Sequence, residues 1–272
     1  PLKINKLKGK KMFSKKMIYG FILSLFFINF SASAADLNEI LKNGEVKIAV
    51  PEAFAPFGSV GKTGEHEGYD VDVAKLIAKD LGVKLKIVPV VSKQRIPFLE
   101  TDKVDLVIST MGANPSRAKS INFSSAYAPF YSGVFAPSSI KVSSYADLDG
   151  LTIGVTGGTL EDLELTKMAP KGAKITRFGD NAATLSAIKS KQVQVLVAGN
   201  TVAASVTEAN PDFDLERKFI IKDSPCFIGV KKGNEDLLRW VNVFILHKKL
   251  GGDLNKISLK WLGQDLPSLP SL

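Results

Sequence analysis

Residues 68 to 81 read Gly68-Tyr69-Asp70-Val71-Asp72-Val73-Ala74-Lys75-Leu76-Ile77-Ala78-Lys79-Asp80-Leu81. Gly68 can take backbone angles that a β-carbon forbids, and two acids follow it where the first turn of a helix has unpaired N–H groups and positive partial charge. Apolar residues then recur at the spacing of one helical face, and Gly82 follows as a stop signal. The stretch predicts an amphipathic helix that starts at a glycine turn and packs on the sheet of an α/β protein.

The segments around this helix alternate between strand and helix patterns. Apolar, β-branched runs predict strands at residues 45–50, 83–90 and 105–108. A second unit begins at Asp147 and continues the rhythm, with predicted strands at 151–156, 173–178, 193–197, 219–221 and 227–230 and predicted helices from 159, at 181–190, after 200, at 235–250 and at 253–262. Such alternation is typical of mainly parallel sheets. The chain is therefore expected to form two α/β units.

The first 34 residues have the layout of a secretory signal. Seven lysines and no acid lie in the first 16 residues, an apolar run follows at 17–30, and Ala32-Ser33-Ala34 comes next. This order is typical of a cleavable signal peptide. The apolar run is shorter than the ~20 residues that a membrane-spanning helix needs. We expect residues 1–34 to be a signal peptide, with an uncleaved anchor as the alternative.

Removal of that segment leaves a nearly neutral chain. Taking 34 residues and seven positive charges from 272 residues and a net charge of +9 leaves 238 residues and a net charge of +2. The basic composition thus gives no support for a nucleic-acid partner. Cys226 is the single cysteine, so an internal disulfide is excluded and an apolar core must hold the fold. No cysteine follows the small residues of the signal, so we expect a periplasmic protein without a lipid anchor.

The opening stretch resembles the signature of the family 3 extracellular solute-binding proteins. That signature runs glycine, an aromatic or aliphatic residue, an acid, an aliphatic residue and a second acid, followed by apolar positions. Further segments share the likeness to polar amino-acid-binding members in the same order, namely Gln94-Arg95-Ile96-Pro97-Phe98-Leu99, Lys103-Val104-Asp105-Leu106-Val107-Ile108, Asn114-Pro115-Ser116-Arg117 and Asn122-Phe123-Ser124. The resemblance implies an α/β fold of the two-lobe, type II periplasmic-binding-protein kind.

The same resemblance implies how the chain divides between the lobes. Residues 35–136 would form the first part of lobe 1, residues 137–224 would form lobe 2, and residues 225–272 would return to lobe 1 with the C-terminal helices. Two crossing strands, near 134–137 and near 225–228, would act as the hinge. A ligand would bind between the lobes at the carboxyl ends of strands.

Arg117 is the first candidate for ligand binding. A guanidinium presents a planar pair of donors that fits a carboxylate, and a cleft with little water strengthens the contact. The resemblance implies that Thr110, Gly112 and Arg117 hold the α-carboxylate of a ligand. The alternative from composition alone is a surface arginine beside a turn.

Two further candidates lie nearby in the first unit. The resemblance implies that Ser92 and Arg95 contribute to the pocket, as in members that take acidic amino acids, although a salt bridge within the lobe would equally explain Arg95. Phe54 matches an aromatic residue that walls the side-chain pocket of relatives. A core aromatic would give the same sequence.

The second unit offers a glycine-rich turn and one departure from the family pattern. Gly154-Val155-Thr156-Gly157-Gly158-Thr159 lacks the spacing of a nucleotide-binding loop. The resemblance implies that Thr159 completes the carboxylate site, whereas a plain turn with a threonine N-cap is the alternative. Relatives carry an ammonium-binding aspartate where this chain has Gly199. The neighbouring Asn200 is our candidate substitute; Asn181, Asp180 and Glu161 are others, and a ligand without a cationic amine is a further possibility.

These features predict the substrate-binding component of an ABC importer, which closes about a hinge on a small carboxylate-bearing solute, an amino acid by preference. Its partners would be permease subunits in the inner membrane, and we expect a monomer. The sequence indicates no catalytic residues, metal site or cofactor. The alternative is a periplasmic cyclohexadienyl dehydratase acting on prephenate or arogenate, for which Glu161 is the candidate acid. A sensory binding module is a third possibility.

Overall fold

The computed structural model describes residues 36–201, 204, 206, 210 and 212–270. The predicted signal peptide lies outside these residues, as does part of the helix predicted after residue 200. Seven α-helices are labelled here in chain order: α1 Leu37–Asn43, α2 Tyr69–Leu81, α3 Arg95–Glu100, α4 Leu160–Met168, α5 Asn181–Lys189, α6 Glu235–Leu250 and α7 Asp253–Leu262.

The described residues also form twelve strands. They are β1 Glu45–Pro51, β2 Ser59–Val60, β3 His66–Glu67, β4 Lys84–Val90, β5 Leu106–Met111, β6 Ile121–Ala128, β7 Tyr131–Ala136, β8 Thr152–Thr156, β9 Lys174–Phe178, β10 Val195–Gly199, β11 Glu216–Asp223 and β12 Cys226–Lys231. Two five-stranded sheets result, in the orders β4-β1-β5-β12-β6 and β11-β7-β10-β8-β9, together with the small pair β2-β3. We call the first large sheet with its helices lobe 1 and the second lobe 2.

Helix α2 forms where the sequence predicts it. Gly68 precedes it with φ of 135°, and a β-carbon there would lie 2.3 Å from the carbonyl oxygen of Phe57. The predicted apolar face is the packed one, since Val73, Ile77 and Leu81 are buried against the sheet. Each side chain of this kind stabilises the fold by about 1.5–3 kcal/mol when fully buried. The glycine turn therefore sets the start of the helix and fixes its position in lobe 1.

The parallel strands of lobe 1 end at the side of the sheet that faces lobe 2. Strand β1 pairs in parallel with β4 and β5, whereas β12 pairs antiparallel to β5 and β6. In lobe 2, β8 pairs in parallel with β9 and β10, and β7 runs antiparallel between β10 and β11. Each sheet thus places the carboxyl ends of its parallel strands together, which is the usual place for a ligand in such sheets.

The chain changes sheet at a different point from the one expected. It leaves lobe 1 between Ala128 and Tyr131 and returns between Asp223 and Cys226. Strand β7 at 131–136 therefore pairs in lobe 2, whereas the sequence analysis places these residues in lobe 1 and the first connection near 134–137. The physical reason is that the apolar pattern runs on through 126–136. Its period specifies which face is buried and not which sheet the strand joins.

Buried apolar side chains fill the space between each sheet and its helices. The Cys226 thiol is buried in this core. Within the described part of the chain, no helix combines the length and apolar character needed to cross a bilayer.

Candidate functional site

A cavity of about 20 Å³ lies between the lobes, with walls from both. Six of the eight predicted binding residues line it, namely Phe54, Arg95, Thr110, Gly112, Arg117 and Thr159. Ser92 lines adjoining cavities together with Arg95. Its buried hydroxyl has no hydrogen-bond partner among the described residues. Asn200 is not among the residues that line the interlobe cavity. Its amide oxygen accepts a hydrogen bond from the Tyr131 N–H at 3.2 Å.

Arg117 joins the two lobes. Its Nη1 donates to the carbonyl oxygen of Gly112 in lobe 1 at 2.9 Å, and its Nη2 donates to that of Gly158 in lobe 2 at 3.0 Å. Burial and then the nearby charge of Arg95 lower the pKa of Arg117 to about 10, while Glu161 opposes the shift. The side chain remains a cation at neutral pH. It can therefore offer charge to a bound anion and tie the lobes together.

Arg95 is a buried cation with unused donors. The residue opens helix α3 and is 5% exposed. Its Nε donates to the hydroxyl oxygen of Ser109 at 3.1 Å, and no hydrogen bond from its two terminal nitrogens is found among the described residues. No salt bridge forms to it there either, so the alternative of a structural ion pair finds no partner. Burial lowers the pKa of Arg95, and the negative charges of Asp70 and Glu161 counteract this. A buried guanidinium with free N–H groups on a cavity wall is a site for an anion.

Asp70 supports the lobe 1 wall of the cavity by accepting hydrogen bonds from two hydroxyl groups. The Tyr127 hydroxyl donates to its Oδ1 at 2.6 Å, and the Thr110 hydroxyl donates to its Oδ2 at 3.0 Å. Thr110 itself has φ of 48°, an uncommon angle for a residue with a branched side chain. Burial raises the pKa of Asp70 to about 7, against the hydrogen bonds and Arg95. The sequence identifies Asp70 only as a helix-start acid and misses the contact with Tyr127.

In the glycine-rich turn of lobe 2, some backbone N–H groups already donate hydrogen bonds within the protein. The Gly157 N–H donates to the Phe178 carbonyl at 2.9 Å, and the Gly158 N–H donates to Asp162 at 3.0 Å. Thr159 is the N-cap of α4, with its hydroxyl accepting from the Asp162 N–H at 3.2 Å. The threonine therefore serves both as the cap and as part of the cavity wall. These bonds leave fewer N–H groups for an anion than the glycine pattern suggests.

Glu161 brings a carboxylate to the lobe 2 side. It lies in the first turn of α4, is 6% exposed and accepts a hydrogen bond from the Ser132 hydroxyl at 2.7 Å. Ser132 belongs to β7, the strand whose sheet the sequence misassigns. Among the residues lining the cavity, Glu161 is the single acid. No cation within salt-bridge distance of it is found in the described part of the chain.

Phe130 fills the space beside Gly199. A β-carbon at Gly199 would lie 1.9 Å from the Phe130 ring. That ring also meets Phe54 and Phe57 edge-on, with centroids 6.2 and 5.8 Å apart. Sequence reasoning missed Phe130, because nothing in the local pattern shows that the crossover residue turns into the cavity.

The arrangement places guanidinium groups on the lobe 1 side and one carboxylate on the lobe 2 side. Among the described residues, no cluster of three or more His, Cys, Asp or Glu could hold a metal ion. Residues 46–264 match the bacterial extracellular solute-binding proteins, family 3. The chain belongs to this family. The two-lobe, type II architecture seen here is the fold of its structural relatives.

Three family relatives illustrate the likeness. The ABC transporter glutamine-binding protein GlnH of Bacillus subtilis (strain 168) is 30% identical over 207 residues, which are 75% of this chain and 75% of that protein. A solute receptor for L-cysteine from Neisseria gonorrhoeae superposes with a TM-score of 0.79 at 31% identity, covering 84% of this chain and 94% of that one. The ancestral amino acid-binding protein AncCDT-1, a precursor of cyclohexadienyl dehydratase, superposes with a TM-score of 0.77 at 30% identity, covering 83% and 98%.

Proposed function

We propose that this protein is the periplasmic substrate-binding component of an ABC importer for an amino acid. The observation that carries the proposal is Arg95, a buried guanidinium that lines a cavity between two lobes and whose terminal N–H groups make no hydrogen bond among the described residues. The charge of Arg95 interacts with Asp70 and Glu161, but its terminal N–H groups still lack a hydrogen-bond partner there, so the site favours an anion. The carboxylate that every amino acid carries meets that need.

The proposed mechanism is closure of the lobes around the ligand. A cavity of about 20 Å³ holds on the order of one water molecule, so a solute can enter only when the lobes separate. Lobe 1 would capture the carboxylate with Arg95 and Arg117, and lobe 2 would then close over it with Thr159. Arg117 would keep the closed form together through its bond to Gly158. The closed pair of lobes would be recognised by permease subunits, with the binding protein acting as a monomer after removal of its signal peptide.

A thermal-shift screen tests the proposal. The probes are the twenty common L-amino acids, L-cystine and a set of carboxylates without an amine, including succinate and glutarate. A ligand that binds the native form alone stabilises it by about 2.7 kcal/mol at 100 times its Kd. We expect at least one amino acid to raise the melting temperature in a concentration-dependent way. If no amino acid does so at millimolar concentration, the proposed function is wrong.

A second candidate function follows from one observation, the buried acid Glu161 on the cavity wall. A dehydratase acting on prephenate or arogenate needs an acid to protonate the departing hydroxyl. The similarity to a precursor of cyclohexadienyl dehydratase makes this test worthwhile. Incubation with each compound, followed by ultraviolet absorbance and chromatography, separates the two functions. Catalytic formation of phenylpyruvate or phenylalanine would contradict a purely binding role.

A further inference from the structure

Glu161 is a buried acid that forms no salt bridge within the described part of the chain. Its Oε1 accepts one hydrogen bond, from Ser132, and no lysine, arginine or histidine of the described residues lies within salt-bridge distance. Burial of a carboxylate costs free energy unless a counter-charge or further donors compensate. The nearby charges of Arg95 and Arg117 and the N-terminal end of α4 compensate part of this cost, but neither arginine forms an ion pair with Glu161. A cationic group in the cavity would complete the compensation.

The two sides of the cavity carry opposite charges. Arg95 and Arg117 come from lobe 1, and Glu161 comes from the first turn of α4 in lobe 2. A zwitterion with its carboxylate at the guanidinium groups would direct a positive group toward the opposite lobe. Glu161 is the acid on that side.

The end of strand β10 cannot supply such an acid in this chain. Its last residue is Gly199, and the Phe130 ring occupies the position of any side chain there. Phe130 is held by Phe54 and Phe57 through edge contacts, so an apolar aromatic surface covers this part of the wall. Cation recognition by a carboxylate must therefore take place elsewhere on the cavity wall.

We propose that Glu161 binds the α-ammonium group of the ligand, with the Ser132 hydroxyl positioning its carboxylate. This inference rests on the proposed function and adds the residue that distinguishes an amino acid from a plain organic acid. Closure of lobe 2 then brings the ammonium acceptor onto a ligand that lobe 1 already holds by its carboxylate. Selection for the amine is made in the closing step.

The test compares amino acids with the acids that lack the α-amino group. The named pairs are L-glutamine with glutaramate and L-cysteine with 3-mercaptopropionate, extended to the other amino acids that stabilise the protein. Affinities are measured by calorimetric titration at pH 7. We expect wild-type protein to bind the amino acid at least tenfold more tightly than its partner acid. Equal binding of the two by wild-type protein would overturn the inference without any variant.

Glu161→Gln removes the charge and keeps the shape and the acceptor for Ser132. It should weaken amino-acid binding at least tenfold and abolish the preference for the amine, while binding of the partner acid is unchanged or tighter. Glu164→Gln is the matched control, since Glu164 lies on the same helix, pairs with Lys222 and does not line the cavity. It should behave as wild-type protein.

The outcomes distinguish failure of this inference from failure of the proposed function. If Glu161→Gln binds an amino acid with the wild-type preference, the inference is wrong and the proposed function stands. If neither amino acids nor partner acids bind the wild-type protein, the proposed function fails and the inference fails with it. If Glu161→Gln does not fold, the wild-type comparison of each pair still decides, together with Ser132→Ala, which should reduce the preference for the amine.

Discussion

Asp70 and Arg95 show how single residues set the charge on the lobe 1 wall of the cavity. Asp70 is held by the hydroxyl groups of Tyr127 and Thr110, while Arg95 is fixed at its Nε by Ser109. The two opposite charges also support one another electrostatically. Thr110 therefore connects the buried acid to the cavity surface.

The raised pKa of Asp70 gives a pH-dependent prediction. Its pKa rises from 3.8 to about 7 on folding because the carboxylate is buried. Between these values the folded chain retains a proton that the unfolded chain has released, so this residue stabilises the fold below pH 4 and loses that contribution as the pH rises toward 7. Denaturant unfolding of wild-type protein and Asp70→Asn from pH 4 to 9 measures the effect.

The comparison removes the contribution of the other carboxylates. The free energy of unfolding of wild-type protein, minus that of Asp70→Asn, should fall as the pH rises from 4 to 7 and level off above 8. A difference that stays constant or rises over this range would show that Asp70 ionises normally in the folded protein.

At the residue scale, sequence predicts the lobe 1 side of the site better than the lobe 2 side. The family resemblance implies Arg95, Thr110 and Arg117 as site residues, and all three line the cavity. Phe130 lies at a crossover, where its orientation depends on how two sheets meet. The bond between Asp70 and Tyr127 joins residues far apart in sequence, so no local pattern reports it.

At the scale of elements, helix α2 has two glycine ends that differ in a measurable way. Gly68 has φ of 135° and would place a β-carbon 2.3 Å from the Phe57 carbonyl oxygen, whereas Gly82 has φ of 69° and no atom within 4 Å of such a carbon. Gly82→Ala should cost only about 1–2 kcal/mol, the price of a left-handed conformation. Gly68→Ala adds a backbone clash and should cost more.

Urea denaturation of both variants gives the comparison. We expect Gly68→Ala to lose at least 1 kcal/mol more than Gly82→Ala. Equal losses would mean that the turn before α2 is not sterically fixed by Phe57.

The positions of the helices were predicted more closely than the ends of the strands. The sequence places the last two helices at the observed positions, and α4 begins directly after the predicted threonine cap. Strand β10 lies at Val195–Gly199, two residues beyond the predicted start at 193. A continuous apolar run shows that a strand is buried and leaves its ends undefined, because residues on both faces of the strand are buried.

At the scale of the whole molecule, close contacts between the lobes make closure sensitive to side-chain size. Gly112 lies in lobe 1, and a β-carbon there would be 2.3 Å from Leu160 of lobe 2 and 2.3 Å from the hydroxyl oxygen of Ser224. Gly112→Ala should therefore force the Leu160 and Ser224 side chains to move and hinder closure of the lobes. We expect it to raise the Kd for the amino acid at least tenfold and to change the melting temperature without ligand only slightly.

Gly179→Ala is the control for this prediction, because a β-carbon at Gly179 has no atom within 4 Å. It should bind as the wild-type protein does. Wild-type affinity in Gly112→Ala, measured by calorimetric titration, would show that the lobes need not meet at Gly112 to hold a ligand.

In the proposed mechanism, two hinged lobes close on a carboxylate held by Arg95 and Arg117. The most direct measurement is the affinity of Arg95→Met and Arg117→Met for the L-amino acid that stabilises wild-type protein most, with the exposed Arg239→Met on α6 as the control. Removing one partner of a buried charge pair costs about 2–5 kcal/mol, so each cavity variant should raise the Kd by about 30-fold or more while the control leaves it unchanged. Kd values within twofold of wild type in both cavity variants would contradict the account.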